Sequence, residues 1–317
     1  MGLKVLSLFD GISCGQIAFE RAGIKVDRYF ASEIKGFAID LTQKHYPNTI
    51  QLGDVCKVHY KDGVLHSENG DFEVGKIDML IGGSPCQNFS CANWSNPNTA
   101  EPLGFDGSKS SLFWEYKRIL EEVKPRYFLL ENVKMKKPDK KKMDELMGVE
   151  GILINSNLVS FQNRERCYWT NIPNVTLPED RHINFQDYTD TNEERKKEAT
   201  PNRTPSRERM WNGGQTHSSQ RRTCKNITHA EKVNCLLVKQ DRCPNSGMVA
   251  YGDWARYLTR RELELAQTLP IGYCDGLSYY RTCNVTGDGW TVDVIAHIFS
   301  FISKEDYEDT SEKLKGD

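Results

Sequence analysis

Over residues 1–170, short continuous apolar runs alternate with stretches of helical period. The runs Leu3–Phe9, Asp27–Ser32, Lys76–Gly82, Arg126–Asn132 and Arg166–Ile172 read as strands. Between them, Gly15–Gly23 and Gly36–Tyr46 read as helices. A longer helix is predicted at Ser111–Val123, where Leu112, Phe113, Tyr116, Ile119, Leu120 and Val123 recur at helical spacing. Strands that are apolar throughout, joined by helices, predict a doubly wound, mostly parallel sheet covered on both faces, an α/β fold.

The pattern fails from about Asp180 to Arg222, which is charged, rich in Thr, Asn, Pro and Gly, and poor in aliphatics. Loops, a small loop-rich domain or partial disorder all fit that composition. Regular patterning returns at Thr259–Pro270, a helix with Thr259 as N-cap, and at Gly289–Ile302, where Val292, Ile295, Ala296 and Phe299 form an apolar face. The pattern thus runs over 1–173, lapses over most of 174–253, and returns over 254–317 before a polar tail.

Composition narrows this little. The 317 residues are 38% hydrophobic and 27% charged, with a formal net charge of −2. That supports a packed core and argues against nonspecific nucleic-acid binding over the whole surface. Lys134–Met143 and Arg221–Lys225 are nonetheless locally basic. No apolar run approaches the ~20 residues that span a bilayer. The N-terminus lacks the charged start, apolar stretch and cleavage site of a signal peptide, so a cytosolic protein is expected. None of the 10 cysteines shares a Cys-x-x-Cys spacing, so most should be free thiols and no metal site is expected.

Four stretches could carry chemistry. Ser7–Gly15 (SLFDGISCG) is a glycine-containing turn after the first strand, and Glu33 ends the second strand. The turn is neither Gly-x-Gly-x-x-Gly nor a P-loop, so a nucleoside cofactor without phosphates fits better than a dinucleotide or a triphosphate. Asp54, in Gly53–Val55, could accept from an adenine amine. Lys76–Ser90 ends a buried strand in Gly82-Gly83-Ser84-Pro85-Cys86-Gln87; the glycines read as a sharp turn, holding a thiol at the sheet's ligand crevice. Glu131, in LLENV, follows a buried strand, and desolvation there would raise its pKa as suits a proton donor. Arg164 and Arg166, two apart in QNRERCYW, would face one side of an extended segment, against a base or as charges guarding a sheet edge.

Taken in order, SLFDGISCG, Glu33, GDV, GGSPCQNFS, LLENV, QNRERCYW and GDGWTVDVI resemble the DNA cytosine-5 methyltransferase motifs. The wording is most similar to phage and bacterial members akin to the animal de novo enzymes. The resemblance implies a class I, Rossmann-like methyltransferase fold with a smaller loop-rich target-recognition domain: 1–173 as the catalytic and cofactor-binding domain, 174–253 as the target-recognition region, and 254–317 as a return to the catalytic domain with a final helix and polar tail. It implies that Cys86 attacks C6 of a flipped cytosine in double-stranded DNA, that Glu131 holds the base, and that Arg164 contacts the base and helps to hold Glu131, with Arg166 in support. S-adenosylmethionine would be the cofactor, leaving as S-adenosylhomocysteine. Its implied contacts are Phe9, Asp10, Gly11, Ile12, Cys14, Glu33, Ile34, Asp54, Val55, Pro85, Leu112, Asp288, Gly289 and Trp290. The recognition region then offers Lys239, Gln240 and Arg242 as base readers, with plain phosphate contact as the alternative. A monomer in a bacterial or phage-infected cell is implied, with a restriction enzyme as the one protein partner to look for.

Two points depart from the pattern. The last motif normally carries Asn, and here Asp288 stands in its place; an ionised carboxylate accepts but does not donate. Weaker cofactor affinity or a modified cofactor is expected. The rival reading is a tRNA cytosine-5 methyltransferase, whose Cys-Phe-Thr signature is absent.

Overall fold

In the computed structural model, the described residues are 2–84, 111–212, 224–240, 242 and 244–307. The chain runs β1 (Leu3–Leu8), α1 (Cys14–Arg21), β2 (Val26–Ser32), α2 (Gly36–His45), β3 (Ile50–Gln51), β4 (His59–Lys61), β5 (Val64–Ser67), β6 (Gly70–Glu73) and β7 (Met79–Gly83). It continues through α3 (Ser111–Val123), β8 (Tyr127–Val133), α4 (Lys137–Met147), β9 (Ile152–Asn155), β10 (Gln162–Asn163) and β11 (Glu165–Thr170). After these come α5 (Glu193–Glu198), α6 (Pro205–Trp211), β12 (Val233–Asn234), β13 (Val249–Tyr251), β14 (Trp254–Arg256), α7 (Arg260–Ala266), α8 (Tyr279–Asp288) and α9 (Val292–Phe299).

Two compact units result: Met1–Ile154 with Glu165–Leu177 and Ile295–Asp317, and Asn155–Arg164 with Pro178–Val294. The first is built on a seven-stranded sheet of order β3-β2-β1-β7-β8-β11-β9. Strands β2, β1, β7 and β8 are parallel neighbours, while β11 runs antiparallel to β8. The expected Rossmann-like α/β sheet is therefore present. Its order reverses at β1, the place where such sheets hold ligands at the strands' carboxyl ends. β8 is buried along its whole length, including its polar Glu131 and Asn132. Leu6, Leu80, Phe113, Tyr116, Leu130 and Trp169 share the core beside it.

Gly82 and Gly83 are not the sharp turn expected from sequence; both belong to β7. A Cβ on Gly82 would lie 3.0 Å from the Leu8 carbonyl oxygen and 3.1 Å from the Tyr116 ring. The residue is small because a strand and a helix close on it. Three short strands, β4 to β6, form an antiparallel sheet that the hydrophobic pattern does not predict.

The second unit has its own core, in which Phe161, Phe185, Ile227, Leu236, Leu258 and Leu263 pack together. Residues 254–294 belong to this unit, whereas the family resemblance placed them with the first domain. The segment Asp180–Arg222 is not uniformly loop: α5 and α6 are capped by Asn192 and Thr204, whose side chains accept from the third helical N–H. Among the described residues no helix is long and apolar enough to cross a membrane. The polar tail beyond residue 307 lies outside the described residues.

Candidate active site

Strand register aligns the chemistry of the first unit. Leu8 pairs with Ser32 on one side and Gly82 on the other, and Gly82 pairs with Leu130. One residue further on stand Phe9, Glu33, Gly83 and Glu131, with Gly83 opposite Glu131. Four adjacent parallel strands thus bring these positions to one rim.

At β1 the chain leaves the strand through two left-handed residues, Phe9 (φ 58°) and Ser13 (φ 56°), with Gly11 (φ 62°) between them. Left-handed backbone at non-glycine residues needs support. Asp10 supplies it. Its Oδ1 accepts from Ser7 Oγ at 2.6 Å and from Tyr29 Oη at 2.7 Å, and its Oδ2 accepts from Ser13 Oγ. Burial pushes the Asp10 carboxyl up from its ordinary value, against the three hydroxyl donors. Asp10 therefore points into the turn rather than out of it. Ile12 and Cys14 are also buried. A Cβ on Gly11 would meet nothing within 4 Å, so the tip of the turn is open.

Glu33 closes the turn from β2. Oε2 accepts from Gly11 N at 2.9 Å, and Oε1 accepts from Ile34 N and Lys35 N at 2.8 Å each. Three of a carboxylate's roughly four acceptor positions are thus used within the fold. Ile34 is 73% exposed beside it, an unusual place for an aliphatic side chain. Asp54 caps a short turn by accepting from Cys56 N at 3.0 Å, Val55 is buried, and Leu112 is half-buried against the core.

Glu131 keeps 10% of its side-chain surface and is bound by Arg166, Nε to Oε1 at 2.9 Å. The neighbouring Cys167 thiol is pushed up to about 11, with burial the main cause, which keeps it unreactive. Sequence reasoning missed Asn132. Its Nδ2 donates to Ser84 Oγ at 3.1 Å and Ser84 O at 3.3 Å, tying β8 to the first residue after β7. The signal was an amide inside a fully buried strand, which requires a partner. Pro85 and Cys86 follow Ser84 and lie outside the described residues.

The two arginines do not share a target. Arg164 is 3% exposed and belongs to the second unit. It donates to the carbonyls of Leu236 (3.3 Å), Gly287 (3.2 Å) and Gly289 (3.0 Å), and to Cys235 Sγ (3.3 Å). The expectation that Arg164 helps to hold Glu131 is corrected: Arg166 makes that pair, and Arg164 ties backbone segments together. Arg164 N also donates to the Asn155 side chain, so the extended run breaks just before β11 and the two side chains need not share a face.

The GDGW stretch begins within α8, which ends at Asp288 with Gly289 as its C-cap. A Cβ on Gly287 would lie 2.4 Å from the backbone of Leu237 and Val238, so only glycine lets the helix press so close. Asp288 is exposed at the helix C-terminus, and Gly289 and Trp290 are half-buried. Lys239 and Arg242 are exposed, as base or phosphate contacts require. Gln240 is not. It is fully buried, accepts from Leu237 N at 3.3 Å and donates to Ser246 Oγ, so the expected adenine reader instead braces its own loop. Among the described residues no His, Cys, Asp and Glu cluster could hold a metal ion.

A family model for C-5 cytosine-specific DNA methylases matches residues 3–304. The chain belongs to that family. Curated relatives include the orphan methyltransferase M.Rho11sI of Bacillus phage rho11s, 32% identical over 52% of this chain and 32% of that protein. The type II methyltransferase M.NgoBV of Neisseria gonorrhoeae is 34% identical over 41% of this chain and 28% of that protein. The chain thus aligns with about a third of the length of these relatives. The family's fold recurs in the Entamoeba histolytica methyltransferase EhMeth, with TM-score 0.72, 14% identity and coverage of 98% of this chain and 100% of that one. It recurs again in the S. pombe Dnmt2 methyltransferase, with TM-score 0.67, 16% identity and coverage of 94% and 97%.

Proposed function

We propose that this family member methylates C5 of a cytosine flipped out of duplex DNA, through a covalent bond from Cys86 to C6. The observation that carries the reading is the rim itself: Glu131, paired to Arg166, stands directly opposite Gly83, three residues before Cys86. A thiolate on that segment and a carboxylate on the next strand can address two edges of one pyrimidine. Glu131 holds N3 and the exocyclic amine, stabilising the charge that develops as Cys86 adds to C6. Arg166 fixes the carboxylate's direction and faces the same base. Asn132 anchors Ser84, and through it the root of the segment that bears the nucleophile. After methyl transfer, loss of the C5 proton and departure of the Cys86 sulfur restore the aromatic ring. Extrusion of the base costs a few kcal/mol of unstacking.

The β1 turn fits S-adenosylmethionine, which when bound supplies an electrophilic methyl group. Open space over Gly11 admits a ligand close to backbone. Glu33 keeps one acceptor position for a ribose hydroxyl, and exposed Ile34 gives a nucleobase an apolar face. Asp54 and Val55 stand nearby on the β3 side for adenine, and Leu112 on α3 adds a wall. Asp10 acts inside the turn, holding its shape. In the second unit, residues around Lys239 and Arg242 form the recognition surface, with Arg164 bracing it. Asp288, Gly289 and Trp290 keep their assignment as the cofactor motif, with Asp288 predicted to weaken affinity relative to Asn. The family match and the phage and bacterial relatives favour DNA over tRNA. The test is covalent trapping on 5-fluorocytosine, with duplex DNA and tRNA compared and Cys86→Ala as control.

A further inference from the structure

The lysine-rich stretch seen in the sequence has no part in the chemistry above. The structure places it at the exit of β8 and along α4. Lys134, Lys136, Lys137, Lys141 and Lys142 are exposed, whereas Met143 and Met147 of the same helix are buried. The apolar side of α4 is thus occupied by the core, and the lysines share its solvent side with Glu145.

This arrangement works against the helix that carries it. A helix N-terminus bears about half a positive charge, so acids stabilise the first turn and lysines oppose it. Here Lys136 is the N-cap without a side-chain cap bond, Lys137 follows, and Asp139 is the single acid of the first turn. Lys137 and Lys141 repeat like charge at i, i+4, while Lys141 is also i, i+4 from Glu145. Lys134 is neutralised by Glu165 at 3.0 Å and Lys140 by Asp144 at 2.8 Å. Over residues 134–147 six lysines stand against the three acids Asp139, Asp144 and Glu145, a locally positive stretch in a chain of net charge −2 that suits a polyanion.

We propose that the solvent side of α4 binds the phosphate backbone of duplex DNA beside the extruded base. The inference rests on the methyltransferase reading and adds a surface to it. Lys134 follows Glu131 by three residues, a span of about 10 Å in extended chain. A duplex carries one charge per ~1.7 Å of axis, so a duplex seated at Glu131 has phosphates within reach of these lysines. Lysine, a mobile point charge, suits phosphate rather than base edges.

The test compares the full chain with a Lys136→Gln, Lys137→Gln, Lys141→Gln triple variant and with the corresponding triple Lys→Arg variant. Affinity for a short fluorescent duplex is measured across a salt series. The glutamine variant should bind roughly 10- to 100-fold more weakly, with a salt slope shallower by about 0.9 for each phosphate no longer neutralised. The arginine variant should keep the slope of the unaltered chain. A melting temperature no lower in the glutamine variant excludes unfolding as the cause. If the unaltered chain binds and methylates DNA while the glutamine variant shows the same affinity and slope, the α4 surface is refuted alone. If the unaltered chain neither binds nor methylates DNA, the methyltransferase reading falls and takes this surface with it.

Discussion

Glu131 pairs with Arg166 in the first unit and Glu262 with Arg256 in the second, at 2.9 Å and 2.7 Å. The chemistry is the same and the settings differ. Glu262 is sealed, and four donors fill it: both Arg256 Nη atoms, Asp190 N and Thr259 N. Thr259 and Glu262 also form the capping box that starts α7. This pair holds three chain segments together and has no capacity left for a ligand. Glu131 keeps some surface and stands on a strand-end rim among other addressable groups. Burial of an ion pair is therefore not in itself a functional sign. What separates the two is where the carboxylate stands and whether any of its surface is left exposed, 10% for Glu131 and none for Glu262.

The largest expected effect separates them by activity. Glu131→Gln should slow methyl transfer by about 100- to 10,000-fold, the usual weight of a positioned acid–base group. Its melting temperature should stay near that of the unaltered chain; a rate within a few-fold of normal would place Glu131 with Glu262 as scaffold. Next comes stability. Arg256→Met strands a buried carboxylate and should cost about 3–5 kcal/mol in urea denaturation. A loss under ~1 kcal/mol would mean that the sealed pair is not the brace of the second unit.

A smaller effect sharpens the same contrast through pH. Asp190, next to Glu262, is held well below the usual carboxylate range: burial opposes the shift, and Arg195, Asn192 N and Thr259 outweigh it. Its folded value lies below its unfolded one, so its stabilisation is complete above the unfolded value of about 3.9. That stabilisation is lost as pH falls further, through the folded value. Between about pH 4 and pH 2 the unaltered chain should lose stability more steeply than Asp190→Asn. Parallel acid curves would contradict this.

The two units also differ in how much of them the sequence reveals. The first announces itself because its strands are apolar throughout and its helices are periodic. Glu33 and the β1 turn stand at strand ends as expected, whereas Glu131, read as following its strand, lies within β8 two residues before its end. Its misreadings are local. Gly82 looks like a turn but is a packing contact with Tyr116, and β4 to β6 are too short and polar for the pattern to register. The second unit hides its elements behind polar residues. α8 buries Thr282 and Thr286, tolerable because each hydroxyl bonds the carbonyl four residues back, at 3.2 Å and 2.8 Å. Gln240 has the chemistry of a base reader and the environment of a brace, a distinction that only its neighbours make. Arg164 and Arg166 look equivalent in sequence and part company because the strand breaks between them.

The central claim is that Cys86 forms the covalent bond and that Glu131 and Arg166 prepare its target. Duplex DNA in which cytosine is replaced by 5-fluorocytosine cannot release a proton from C5, so the reaction should stop at a stable protein–DNA adduct. With S-adenosylmethionine present, the expected result is a denaturation-resistant complex with duplex DNA, none with fluorinated tRNA, and none with Cys86→Ala. An adduct that persists in Cys86→Ala, or that forms on tRNA and not on DNA, would contradict it.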